Sequence, residues 1–268
     1  TSGARSGPSL VFLLSLQLST YSTRLLLVLF GSVLGTTLTC ALAGRGYAGS
    51  AVLVEVVMVS CRVVRPAQPS EAVLLQVKAI YLESFPPDEL EPFEGIVHDV
   101  VAGRALLYVA DRSDEIVGFA LTLPLRMRAT AYLAYLAVRR DLRGQGVGAH
   151  LFRFVLEEPA RSGGTTALLW EVERPIEGAP PEDPRRRRIA FYQREGGILL
   201  DAVGGYRMLR TAGVGTIPAQ LMWATAIVRP PLTLSEVRQC ILEVYRVGYG
   251  LGLNDPLVRE VLASVRVG

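Results

Sequence analysis

Lysine is almost missing from this chain: of 28 basic residues among 268, only Lys78 is a lysine. That excludes one large class of phosphate sites, because a P-loop needs Gly-x-x-x-x-Gly-Lys followed by serine or threonine, and neither dipeptide occurs here. Cysteine and histidine are scarce too. Cys40, Cys61 and Cys240 are scattered, odd in number and without a Cys-x-x-Cys pair, and the histidines are His98 and His150 alone. Such a set excludes a disulfide framework, speaks against any metal site, zinc included, and fits a reducing compartment. Excess charge is also lacking. A formal net charge of +3 is too small to argue for nucleic acid, and Arg5, Arg24 and Arg45 against the single acid Glu55 supply most of it.

The first 57 residues hold almost no charge of either sign. Leu25 to Gly44 is an uncharged run between Arg24 and Arg45, about the length that spans a bilayer, although Ser32, Thr36, Thr37 and Thr39 dilute it. Ala41-Leu42-Ala43 resembles a signal-peptidase site behind an apolar run. Three readings stand: a membrane anchor, a secretion signal, or a stretch outside the working protein. The chain does not open on methionine, and Met58 stands just before the first segment that reads as an ordinary domain start. This favours the third reading.

From Cys61 onward strands and helices alternate. Cys61–Val64 reads as a short strand. Ser70 caps a helix with Val73, Leu74, Val77, Ile80 and Tyr81 at helical spacing, and Glu91–Val101 gives a second helix after Pro86-Pro87. Leu106–Ala110 and Ile116–Leu123 are strand-like runs around the turn signal Asp111-Arg112-Ser113-Asp114. Ala131–Val138 is the next strand and Thr166–Val172 the one after the following helix. A helix over Arg185–Glu195, strands at Ile198–Ala202 and Leu221–Val228, and helices at Ser235–Tyr245 and Asp255–Val265 complete the chain.

Between the strand ending at Val138 and the helix over Ala149–Glu158 lies Arg143-Gly144-Gln145-Gly146-Val147-Gly148. Glycines at such a turn allow tight folding and close approach, so that successive N–H groups point outward, and the helix adds its positive dipole end. The product is a phosphate cradle. A dinucleotide fingerprint does not fit, since the glycines alternate and the matching position after them is Leu151. Leu136-Ala137-Val138, Arg139-Arg140-Asp141-Leu142 and then the loop resemble the central motif of the GNAT superfamily of acyl-CoA N-acyltransferases, with Arg140 where the family often has proline. Arg188-Ile189-Ala190-Phe191-Tyr192-Gln193-Arg194-Glu195-Gly196-Gly197 is similar to that family's later motif, with Gly197 in place of its usual phenylalanine. The resemblance covers about Cys61 to Val228.

The resemblance implies an α/β fold of GNAT type: a mixed central sheet with a splayed strand pair, here followed by C-terminal helices. It implies acetyl-CoA as cosubstrate and a primary amine, on a small molecule or a protein, as acceptor. Residues 1–57 then form an apolar extension, 58–230 the N-acetyltransferase domain and 231–268 a helical extension. Leu136, Ala137 and Val138 would bind the pantetheine amides, and Arg143, Gly144, Gln145, Gly146, Val147 and Gly148 the pyrophosphate, with Arg143 adding charge. Tyr192 would protonate the leaving thiolate. A general base is harder to name. The strand before the loop carries Tyr132, Leu133, Ala134 and Tyr135, without the acid found in many relatives. Glu171 and Glu173 alternate on the next strand and face one side, toward the acceptor cleft or toward solvent, and Glu83 is a weaker third choice. Among Arg185–Arg188, one arginine meeting the CoA 3′-phosphate is the minority reading against a solvated face. The expected protein is a cytoplasmic N-acetyltransferase, membrane-tethered only if 25–44 is a genuine span, with a homodimer left open. The alternative is a non-catalytic acyl-CoA-binding sensor or scaffold on the same fold.

Overall fold

The computed structural model describes residues 61–266 apart from Arg128, residues 211–214 and Arg229. Within the separate unit Thr1–Ser60 only four short strands are described, Val11–Leu14, Leu26–Phe30, Thr37–Ala43 and Val56–Val57, which pair antiparallel in that order. The remainder of the first 57 residues, and the roles considered for it, lie outside the described residues. Among the described residues no helix is long and apolar enough to cross a membrane.

The unit Cys61–Gly268 runs β1 (Arg62–Val64), α1 (Glu71–Ser84), α2 (Phe93–Val101), β2 (Leu106–Arg112), β3 (Glu115–Pro124), β4 (Thr130–Val138), α3 (Val147–Arg161) and β5 (Ala167–Glu173). It continues with α4 (Pro184–Arg194), β6 (Ile198–Leu199), β7 (Arg207–Leu209), β8 (Thr216–Thr225), α5 (Leu234–Tyr249) and α6 (Pro256–Ala263). The elements begin where local chemistry dictates. Ser70 accepts the Val73 N–H at 3.3 Å and caps α1, which supplies one of the donors a helix start leaves unpaired. Ser113 and Asp114 both take positive φ, 54° and 65°, the pair of left-handed residues that a tight hairpin turn requires. Asp111 closes that turn by accepting the Asp114 N–H at 3.1 Å.

Strand order in the sheet is β1-β2-β3-β4-β5-β8-β6, with β7 also pairing β8. All neighbours are antiparallel except β4 and β5. On one face, α1 and α2 bury Val77, Ile80, Tyr81 and Phe93 against Leu107, Phe119 and Leu121. On the same face at the other end of the sheet, α5 and α6 bury Cys240, Ile241, Val244 and Val258 against Leu169, Ala219 and Leu221. The opposite face belongs to α3 and α4, where Phe152 and Tyr192 pack edge-on or tilted against Trp170. The two C-terminal helices therefore differ from the expected appendage: they close half of one core. The reason is the apolar stripe Val237, Cys240, Ile241, Val244 and Tyr245, spaced as one helix face and wholly buried. Thr233 and Glu236 start α5 with a reciprocal capping box, and Gly250 ends it at a φ of 69°.

Three strands differ from their sequence reading. β6 stops at Leu199 rather than Ala202. β8 starts at Thr216 rather than Leu221, although Pro218 lies within it, and β7 was not expected at all. Proline counts against a strand interior because it cannot donate to the ladder. Here the Pro218 carbonyl accepts the Arg174 N–H at 2.9 Å, so its missing donor faces Arg174, just past the end of β5 where the ladder is already closing.

Candidate active site

Parallel pairing between β4 and β5 covers only Thr130–Tyr132 against Ala167–Leu169. Beyond Tyr132 the strands part. A bulge in β4 lies at this point: Leu121 of β3 faces Tyr135 while Thr122 faces Leu133, which leaves Ala134 unpaired. A bulge bends the strand that carries it. Past the bulge, the Arg139 N–H bonds to the Val117 carbonyl on β3, so by alternation the peptide groups of Leu136 and Val138 face away from β3 into the opening. Leu136, Ala137 and Val138 all line the cleft formed there, whose volume is about 700 Å³.

At one end of the cleft the chain turns through the glycine loop. Gly144 and Gly146 take φ of 78° and 86°, values open to glycine at little cost. Among the described residues, the N–H groups of Gly144 to Ala149 have no protein acceptor, and the first helical bond runs from His150 to the Gly146 carbonyl. Six unpaired donors with the positive end of α3 behind them favour an anion. Arg143 is engaged differently from its expected role. Its guanidinium donates to the Val138 carbonyl at 2.9 Å and to the Ser84 hydroxyl at 3.0 Å, which ties the loop to the end of β4 and to α1. The Gln145 side chain donates to the Asp141 carbonyl and the Val147 side chain is buried in the core, so the loop lines the cleft through Gly144, Gly146 and Gly148 instead. His150 points outward from α3.

Tyr192, in the last turn of α4, lines the same cleft. Its ring is wedged among Trp170, Phe191 and Phe152, with centroids at 4.8, 5.0 and 5.4 Å. Burial pushes its hydroxyl up to about 12, partly opposed by Arg188. Among the described residues that hydroxyl has no hydrogen-bond partner. The space that the resemblance assigns to a phenylalanine after Gly196 is filled instead by Trp170. A Cβ on Gly197 would stand 2.9 Å from Trp170 Cζ2 and 2.9 Å from the Tyr192 carbonyl oxygen. Gly197→Ala is therefore an overpacking change, expected to cost about 1–3 kcal/mol. Urea denaturation showing no loss would mean that Trp170 and the α4 end yield freely.

The two carboxylates on β5 part company. Glu171 accepts hydrogen bonds from the hydroxyls of Tyr132 at 2.5 Å, Tyr206 at 2.7 Å and Tyr249 at 2.9 Å. Burial raises its carboxyl above the usual range against the opposing pull of those three donors. Glu173 lies 3.5 Å from Arg188 on α4. Both line the cleft, and Glu171 is no solvated strand-end acid. Glu83 is occupied elsewhere: it accepts the Arg140 N–H at 2.9 Å and stays outside the cleft. Arg185 is held by the capping carboxylate Asp183, whereas Arg188 reaches the cleft.

Three residues of this site escaped the sequence reading. Tyr206 comes from the segment between β6 and β7, Tyr249 from the last turn of α5, and Glu91 from the segment between α1 and α2. No local pattern marks them, since Tyr249 stands 78 residues from the carboxylate it holds. Among the described residues no group of three or more His, Cys, Asp or Glu comes together.

Residues 74–196 match the family model of the acetyltransferase (GNAT) family. A GNAT-family protein from Bacteroides thetaiotaomicron superposes with a TM-score of 0.56 at 22% identity, over 71% of this chain and 99% of its own. An aminoglycoside 6′-N-acetyltransferase, solved in complex with coenzyme A, superposes with a TM-score of 0.50 at 17% identity, over 63% of this chain and 99% of its own. A comparison with curated proteins returned no match.

Proposed function

We propose, on the premise that residues 74–196 are an acetyltransferase domain of the GNAT family, that this protein moves an acetyl group from acetyl-CoA to a primary amine by direct attack. The observation that carries the reading is a convergence. The unpaired N–H groups of the glycine loop, the open edge of β4 and the Tyr192 hydroxyl all border one cleft. A neighbour in fold binds coenzyme A, which supports the same ligand here.

In this reading the pyrophosphate lies on the N–H groups from Gly144 to Gly148, at the positive end of α3. The pantetheine arm follows the open edge of β4, its amides pairing with Leu136 and Val138 as an added strand would. One N–H of that edge polarises the thioester carbonyl, a preorganised donor where charge develops. The amine gives up a proton, its nitrogen bonds to the carbonyl carbon, and the carbon–sulfur bond breaks with its electron pair leaving on sulfur. Tyr192 faces that sulfur. A hydroxyl held near 12 is neutral at every working pH, so it is always available to donate. An ordinary thiol titrates at about 8.5, so the donation tells as charge gathers on sulfur. Glu171 is the better base of the β5 pair, because Glu173 is already matched by Arg188.

We further take residues 58–268 as the working unit, with the stretch 1–57 no part of it, acting where acetyl-CoA is made. One experiment tests both statements: acetyl-CoA turnover against a broad panel of primary amines, run on the full chain and on a chain beginning at Met58. Acetylation of one amine class at equal rates by both is expected. A full chain that binds acetyl-CoA but acetylates nothing would favour a sensor or scaffold, and a shortened chain that fails to fold would return residues 1–57 to the working unit.

A further inference from the structure

Arg143, Arg188 and Arg194 border the cleft from the loop and α4, with Glu173 and Glu195 beside them matched by Arg188 and Arg153. Glu91 and Asp99 border it on the side of α1 and α2, and Glu171 beside α5. Asp99 is matched by Arg104 at 2.6 Å. Glu91 and Glu171 are not: among the described residues neither has a cationic partner, and both are raised above the usual carboxylate range, burial first among the causes.

Tyrosine holds them instead. Three hydroxyls donate to Glu171, as described, and the Tyr135 hydroxyl donates to Glu91 at 3.2 Å. Tyr81 in turn fixes the backbone of Glu91, accepting its N–H at 2.8 Å, and donates to the Tyr135 oxygen at 3.3 Å. Neutral hydroxyls fix a carboxylate in place but leave its charge unbalanced, and at the more deeply set Glu171 that is costly. A cation arriving in the cleft would remove that cost there, and at the exposed Glu91 it would meet a carboxylate already held in position.

The spacing follows from the bulge. Plain alternation would put Tyr132 and Tyr135 on opposite faces of β4. Because Ala134 is extruded, they pair with Leu123 and Leu121, two residues apart on β3 and hence on one face. Two residues of β3 span roughly 7 Å. One wall of the cleft thus holds two tyrosine-anchored carboxylates, Glu171 deep beside the splayed strands and Glu91 nearer the mouth.

We propose that the acceptor is a dication, an aliphatic diamine or polyamine, with one ammonium group on Glu171 and a second on Glu91. This rests on the acyl-transfer reading and names its substrate class. The amine at Glu171 is the one acetylated: its ammonium first gives one proton to Glu171, the freed lone pair then bonds to the carbonyl carbon, and the nitrogen's second proton, lost as the carbon–sulfur bond breaks, replaces the one Tyr192 gives to the sulfur. The product amide is neutral at that end, so it loses one of its two anchors and departs.

Calorimetry on the full chain saturated with coenzyme A tests this with cadaverine, spermidine and n-pentylamine as probes. The dications should bind about two- to fivefold more tightly than the monoamine, the scale of one added exposed ion pair. Glu91→Gln should erase that preference and leave n-pentylamine binding unchanged. Glu171→Gln should weaken all three while coenzyme A affinity holds. If Glu171→Gln fails to fold, Glu91→Gln at the exposed mouth still decides. Equal binding of monoamine and dications by the wild type, or a preference that survives Glu91→Gln, would overturn the proposal. Because amine binding is read without turnover, failure of the acyl-transfer reading shows separately, as absent coenzyme A binding or as amines bound but never acetylated.

Discussion

Tyr192→Phe should lower turnover by roughly 10²–10⁴-fold while acetyl-CoA affinity stays at the wild-type level. The substitution keeps the ring wedged among Trp170, Phe191 and Phe152 and removes only the hydroxyl, which has no partner to lose among the described residues. Loss should fall on kcat more than on KM, because the interaction gains strength only as the sulfur becomes charged. The pH profile adds a second check. With the hydroxyl pushed up to about 12, its ionisation should produce no fall in wild-type activity across the neutral and mildly alkaline range. A Phe variant that turns over as fast as wild type would make Tyr192 a packing residue and leave water as the acid.

Gly148→Asp should abolish acetyl-CoA binding. Gly148 borders the cleft, and its backbone is not in the left-handed region that makes substitution at Gly144 or Gly146 strained. An added Cβ meets Val138 Cγ2 at 3.5 Å and Phe191 Cζ at 3.7 Å, ordinary contacts, so the fold should survive. What changes is charge at the mouth of the anion cradle. Two like unit charges about 4 Å apart at a protein-surface dielectric near 20 repel by about 4 kcal/mol, roughly a thousandfold in Kd. Gly146→Asp should weaken binding as much but adds strain at a φ of 86°, which makes it the less clean variant. Calorimetry showing unchanged affinity in a folded Gly148→Asp protein would sink the phosphate-cradle reading.

What could be read ahead of the structure was local. The glycine loop, its flanking strand and helix, and the hairpin at Ser113-Asp114 follow from residue types a few positions apart, and all formed where expected. The site's second half is built by long-range assembly. Tyr132, Tyr206 and Tyr249 meet at Glu171 from 39, 35 and 78 residues away, and nothing in their own neighbourhoods announces it. The bulge at Ala134 is likewise silent, because Leu133-Ala134-Tyr135 reads as unbroken strand, yet it decides which face Tyr135 takes. Gly197 was visible as a departure from pattern. Its meaning was not, since the indole that replaces the expected ring comes from a different strand.

The hold on Glu171 has a consequence for how such a protein can change. The family match ends at residue 196, and two of the three hydroxyls on Glu171 come from beyond it, Tyr206 and Tyr249. On the proposed reading, donor site and acceptor wall are thus written in successive stretches of the chain. Substitutions at Tyr206 and Tyr249 should then shift which amine is accepted while the cradle at Gly144 to Gly148 stays untouched. Substrate choice and donor binding would be separable under mutation.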